Sequence, residues 1–259
     1  MNAADVIAAL DLPRAARVDQ RVAKKLLVEN GAVTAADKRR INDGIEELTW
    51  IAALKPTTIG VPAYRDDRRE YLEIAVLALA LRPSEEPLAP RGRGVGVRGS
   101  QRIVELVHRA IPYPVLLVAA DAEALAVSVA HKRHAENEAG KVVLDEAVVA
   151  ADVPPAASAL EWFAAFRVAA QPRHHLLALY QGWLEGVEAL AAARITGQCA
   201  PALDPATRRK ALADYGRLSR EVSLLRAQAE RETQLPRRVE LNLEIKRFEA
   251  TLAEAKKHL

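Results

Sequence analysis

Cysteine is nearly absent. Cys199 stands alone among 259 residues, which excludes an internal disulfide and any zinc site built on several thiolates. That single thiol reads as a small apolar side chain near a turn. Aromatic residues are also scarce, at 4% of the chain, against 50% hydrophobic residues of which alanine supplies much. This balance disfavours an aromatic-rich β-sandwich and favours helices packed through small and aliphatic side chains. Long apolar runs are missing as well: none approaches the ~18 residues that a membrane-spanning helix needs. The start, Met1-Asn2-Ala3-Ala4-Asp5, lacks the basic segment of a signal peptide, so a cytoplasmic protein without membrane contact is expected.

A large charge of one sign is absent too. The net charge is +3 and the isoelectric point about 9.0, so local distribution matters more than the sum. Basic clusters lie at Arg14, Arg17, Arg21, Lys24 and Lys25, at Arg91, Arg93, Arg98 and Arg102, and along the tail at Arg208-Arg209-Lys210, Arg237-Arg238 and Lys256-Lys257.

Complete catalytic motifs are the last absence. Gly92-Arg93-Gly94-Val95-Gly96 lacks the Gly-Lys-Ser/Thr that completes a phosphate loop, and it reads as a linker. His174 and His175 are adjacent, so on a helix they point in different directions, with no acid at ligand spacing. No serine or cysteine carries a nucleophile motif.

The patterning that is present is mixed. Asp5 to Leu10 and Asp19 to Glu29 read as short helices, the second stopped by Asn30-Gly31. Thr34 caps a third, whose Ile41, Ile45, Leu48 and Ile51 form one stripe before Lys55-Pro56 ends it. The apolar run of Tyr71 to Leu81 reads as a buried strand, followed by a Pro/Gly/Arg-rich loop from Pro83 to Gly99. Ser100 to Ala110 is an amphipathic helix. Ile111-Pro112-Tyr113-Pro114 breaks it and opens a strand, Val115 to Ala120; Leu125, Val127 and Val129 alternate along the next. Val142 to Ala150 suggests a further strand. Beyond Pro154-Pro155 the pattern is helical over Ser158 to Ala170 and Pro172 to Ile195. At the end, Tyr215, Leu218, Val222, Leu225 and Ala229, then Leu241, Ile245, Phe248, Leu252, Ala255 and Leu259, repeat in heptad spacing around a break at Leu235-Pro236. Two heptad seams joined by a short break predict an antiparallel coiled-coil hairpin.

The expected fold is therefore α+β: a small mixed sheet with packed helices, then an all-helical C-terminal part ending in that hairpin. The expected domains are an α/β domain over 1–153, a helical connector over 154–204 and a hairpin arm over 205–259.

Two constellations suggest chemistry. If the strands after Tyr113 and before His131 pair antiparallel, His108, Arg109, Tyr113, His131, Lys132 and Arg133 converge at one sheet edge. Such a basic rim suits a phosphate or a DNA or RNA backbone; the plainer reading is cations at a helix end and a solvated strand end. The second constellation places Glu105, Asp121 and Lys132 on helix, strand end and strand, the order of a metal-dependent nuclease with a PD-(D/E)xK-like core using Mg²⁺. Ala130, two before Lys132, leaves the expected acid missing. The expectation is thus no cofactor and no metal site. In the hairpin, Leu241, Asn242, Ile245 and Phe248 are candidates to dock a protein partner, beside the plainer reading that the two helices pack on each other.

Several stretches carry a resemblance: Val18 to Leu26, Thr49-Trp50-Ile51 with Leu54-Lys55-Pro56, Ile59 to Ala63, His108 to Leu117, Ala130 to Arg133, Ala193 to Gly197 and Arg238 to Asn242. Together the chain resembles the bacterial domain-of-unknown-function family 4391. The resemblance implies an accessory protein encoded near helicase and DNA-methyltransferase genes of defence clusters, and it implies no reaction. The expected function is a non-catalytic subunit of such a system, binding a helicase or methyltransferase and nucleic acid.

Overall fold

The computed structural model describes residues 2–83, 101–136, 138, 140–154, 162–197 and 204–259. Cys199, the glycine-rich stretch around Gly94, and Arg91, Arg93 and Arg98 lie outside the described residues. The chain forms two compact units, one running up to Val187 and the other spanning Glu188–Leu259.

The first unit holds a six-stranded mixed sheet. Its elements are α1 (Ala3–Ala9), β1 (Arg17–Arg21), α2 (Lys24–Asn30), α3 (Ala35–Gly44), β2 (Ile45–Leu54), α4 (Pro56–Ile59), β3 (Tyr64–Arg65), β4 (Glu70–Tyr71), β5 (Ile74–Leu81), α5 (Gln101–Ala110), β6 (Val115–Ala120), β7 (Leu125–Val129), β8 (Lys132–His134), β9 (Val142–Leu144), β10 (Val149–Asp152) and the first half of α6 (Leu176–Thr196). The large sheet runs β1-β2-β5-β6-β7-β10, while β3-β4 and β8-β9 form small hairpins. All neighbours in the large sheet are antiparallel except β5 and β6, which α5 connects. A parallel pair cannot be joined by a tight turn, so the helix supplies the crossover.

The period-2 alternation of β5 and β6 assigns the two faces. Leu77, Leu79, Val115 and Leu117 meet Leu27 of α2, Ile41 of α3 and Leu106 of α5 in one core. The opposite face meets α1, which packs on β6, and Tyr180 of α6, whose hydroxyl bridges the Val115 and Ala130 carbonyls at 2.8 and 3.0 Å.

Two helix expectations are corrected. The third helix stops at Gly44, and Ile45–Leu54 is the long second strand of the sheet. The spacing of Ile41, Ile45, Leu48 and Ile51 also satisfies a helix, but Asn42-Asp43-Gly44 is a turn signal, and tertiary pairing with β5 decides the rest. Likewise Asp19 belongs to β1, and helix α2 begins only at Lys24. The expected strand over Val142 to Ala150 is divided between β9 and β10.

The second unit contains the end of α6, α7 (Pro205–Arg231) and α8 (Leu235–Lys257). Asp204 caps α7 by accepting from the Thr207 N–H at 3.1 Å. Pro236 falls in the first turn of α8, where a missing N–H costs nothing. Val222, Leu225 and Ala229 of α7 pack against Leu241, Ile245 and Phe248 of α8, making an antiparallel helical hairpin. At its base Ala192, Ala211 and Leu259 are buried together.

Candidate functional site

Strand register brings the sequence candidates to one end of the large sheet. Leu54 pairs with Ile74, Ala75 with Val115, and Leu116 with Val129. The residues flanking these ends therefore meet: Lys55, Glu73, Tyr113, His131 and Lys132. Convergence is observed, but an exposed basic rim is not.

His108, His131 and Lys132 are buried, at 0%, 4% and 2% exposure. The Lys132 ammonium donates to the His108 and Ile111 carbonyls at the end of α5. The reason is written in the sequence: the helical partner of the His108 carbonyl would be residue 112, and Pro112 has no N–H. Burial pushes the Lys132 pKa down to about 7. Its two donors replace the absent helical N–H groups and oppose the negative end of the helix dipole.

His108 Nε2 lies 3.0 Å from Ser128 Oγ, while its Nδ1 has no hydrogen-bond partner. Burial, and then the nearby Lys132, push its pKa down to about 3. A neutral ring donating from Nε2 leaves only an acceptor unsatisfied. His131 is fixed in the same way: Gln181 Nε2 donates to Glu185 at 2.9 Å, which turns Gln181 Oε1 toward His131 Nε2 at 2.8 Å. His131 Nδ1 then accepts from the Tyr71 hydroxyl at 2.5 Å. These are inward-facing networks, with His108 Nδ1 the one ring nitrogen of the two histidines left without a partner.

Of the six rim candidates, Arg109 and Tyr113 are exposed and Arg133 is half-buried. Arg109 is held by Glu105 at 2.6 Å. Tyr113 stands edge-on to Trp50, ring centres 6.0 Å apart. Arg133 joins Arg68 and Arg69 on the nearly buried Asp145 carboxylate, a hub stitching the β3-β4 hairpin to β8-β9. Beside them Lys55 pairs with Glu73 at 2.9 Å. The Asp145 hub and the Lys55–Glu73 pair escape sequence reading, because their partners lie far apart in the chain and only the fold reveals them.

The nuclease constellation does not assemble. Glu105 accepts from Arg102 and Arg109 on its own helix. Asp121 closes the turn after β6 by accepting from the Glu123 and Ala124 N–H groups at 2.8 and 2.7 Å. Lys132 sits at the other end of β6, the length of a six-residue strand away, ~20 Å. Among the described residues no group of three or more His, Cys, Asp or Glu is arranged to hold a metal ion. A groove of about 330 Å³ at the opposite end of β2 is bordered by Arg21, Lys24, Glu46 and Glu47, two bases against two acids.

The hairpin behaves differently. Leu241 and Ile245 are 5% and 8% exposed and, with Phe248, are consumed by the seam; of the four docking candidates only Asn242 is exposed. The exposed apolar residues are others. Among the described residues eight large apolar side chains are exposed, and four of them, Leu224, Leu235, Val239 and Leu243, flank the hairpin turn. Sequence reading missed this second apolar stripe on α8 because the heptad seam on the opposite face dominates the pattern.

A family model described as Domain of unknown function (DUF4391) matches residues 10–252. No curated protein and no solved structure matches the chain.

Proposed function

The chain belongs to the family described as domain of unknown function DUF4391, and we propose that it is a non-catalytic accessory subunit of a bacterial defence or DNA-processing system, docking a protein partner through its helical hairpin. One observation carries this reading: among the described residues, half of the exposed large apolar side chains lie around the hairpin turn. Exposed apolar surface gathered in one place is the mark of an interaction site.

The non-catalytic half rests on what the candidate residues do instead. Lys132 caps a helix, Glu105 holds two arginines, and Asp121 closes a turn. Nucleic acid takes second place in the proposal. The cations at the sheet edge are spent on carbonyls and carboxylates of the same unit, which leaves few charges for phosphates.

The test is capture. The full chain is co-expressed with the proteins encoded beside its gene, a helicase or methyltransferase being the partner expected, and the retained partner is quantified. Wild type should retain the partner and Val239→Lys should retain less than a tenth as much. Equal capture by the variant would sink docking through the arm. Metal-dependent cleavage of DNA or RNA, lost in Asp121→Ala and Lys132→Ala, would sink the non-catalytic half.

A further inference from the structure

Helix α8 is apolar on two faces. Leu241 and Ile245 point into the hairpin seam, whereas Leu235, Val239 and Leu243 are 63%, 50% and 53% exposed. Spacing by four places these three side chains one above another on a single face. Burying these half-exposed side chains would remove apolar surface from water, which favours association. The hairpin itself makes no use of this face.

Basic side chains outnumber acidic ones along the stripe, with Arg237, Arg238, Lys246 and Arg247 against Glu240 and Glu244. Arg238, Lys246 and Arg247 are exposed beside it. Of the nearby acids, Glu240 is held by Arg237 at 2.7 Å and Glu249 by Arg226 at 2.5 Å, while Glu244 is exposed on the same helix. From 217 to 247 the hairpin carries eight arginines and lysines against five acids, a surplus equal to the chain's whole net charge of +3.

Resting on the docking reading above, we infer that the occupant is an acidic amphipathic helix of the partner protein, laid along Leu235, Val239 and Leu243 with its carboxylates toward Arg238, Lys246 and Arg247. An aliphatic stripe with a cationic border complements an apolar helix face flanked by Asp and Glu. A second copy of this chain fits worse, because it would bring together two tips with the same positive surplus. Nucleic acid also fits worse: none of the four exposed apolar side chains is aromatic, so bases would have nothing to stack on.

The probes are two designed amphipathic peptides with leucines at i, i+4 and i+8, one flanked by glutamates and one by lysines. Fluorescence anisotropy with the full chain should show binding of the acidic peptide at least about tenfold tighter than the basic one, weakening with added salt. The triple variant Arg238→Glu, Lys246→Glu, Arg247→Glu should reverse the preference. The double variant Val239→Lys, Leu243→Lys should remove binding of the acidic peptide. Its unchanged thermal melt would show that the fold is intact. Absence of acidic-peptide binding at about 100 µM, equal binding of both peptides, or no reversal would overturn the inference. So would tighter binding of a single-stranded 20-mer oligonucleotide lost in the same variants, or a dimer in light scattering that Val239→Lys abolishes. Partner capture separates the two claims. Indifference to Val239→Lys removes both, whereas loss with Val239→Lys but not with the triple charge reversal removes only the acidic helix.

Discussion

Cations from distant segments finish three helices of the first unit. Lys132 closes α5 through the His108 and Ile111 carbonyls, Lys24 closes α3 through the Asn42 and Ile45 carbonyls, and the Arg173 guanidinium donates to the Ile59 carbonyl at the end of α4. Each meets carbonyls that a helix end leaves unpaired. A sequence displays such charges but not their acceptors, so Lys132 reads as a solvated strand end, a phosphate ligand or a metal-site lysine. The convergence of His108 with Lys132 was legible, from the antiparallel alternation; its burial was not. A pH dependence follows. The Lys132 pKa falls from 10.5 unfolded to about 7 folded, so between these values the unfolded chain holds a proton that the folded chain has released. Stability should therefore climb from pH 7 toward 10.5, and this contribution should fade as pH falls through 7. The neutral amine keeps two hydrogens, one for each carbonyl. In urea melts at pH 7 and 9 wild type should be more stable at pH 9. Lys132→Met should lose about 1–3 kcal/mol through two unpaired carbonyls and lose most of the pH difference. An unchanged difference in the variant would assign it to other groups.

At the scale of elements, apolar period and turn chemistry identified α1, α5, β5, β6, β7 and the hairpin. They failed where one pattern served two periods. Ile45, Leu48 and Ile51 fit a helix, yet the stretch is β2, flanked on both sides by β1 and β5. Register is long-range information, and no local pattern contains it. The α2–α5 contact was equally invisible. A Cβ on Gly31, at the end of α2, would lie 2.7 Å from the Leu106 carbonyl oxygen and 3.0 Å from the Ala110 Cβ. Backbone cannot yield as a flexible side chain can, so Gly31→Ala should cost about 1–3 kcal/mol by forcing α2 off α5. Chemical denaturation checks it, and a loss below measurement would mean that the two helices separate freely. In the hairpin, Leu225 is 6% exposed in the seam; Leu225→Ala should cost about 2–5 kcal/mol. Val239→Lys on the opposite side should cost almost nothing, since surface changes away from such features stay within about 0.5 kcal/mol.

For the molecule as a whole, the two units divide the work. The sheet unit spends its polar groups inward: Tyr180 on the Val115 and Ala130 carbonyls, His131 on Tyr71 and Gln181, and Asp145 on three arginines. The hairpin unit keeps apolar and basic groups on its surface. The mixed α+β class and the helical C-terminal part were readable from periodicity. The exposed apolar stripe proposed as a docking face was not, because seam and outer stripe alternate along one helix and only packing separates them. The most direct measurement is hydrogen exchange of the full chain, alone and with its captured partner. Slowed exchange should appear over 235–247, with 108–133 unchanged. Slowing confined to 108–133, with the hairpin indifferent to the partner, would contradict the account.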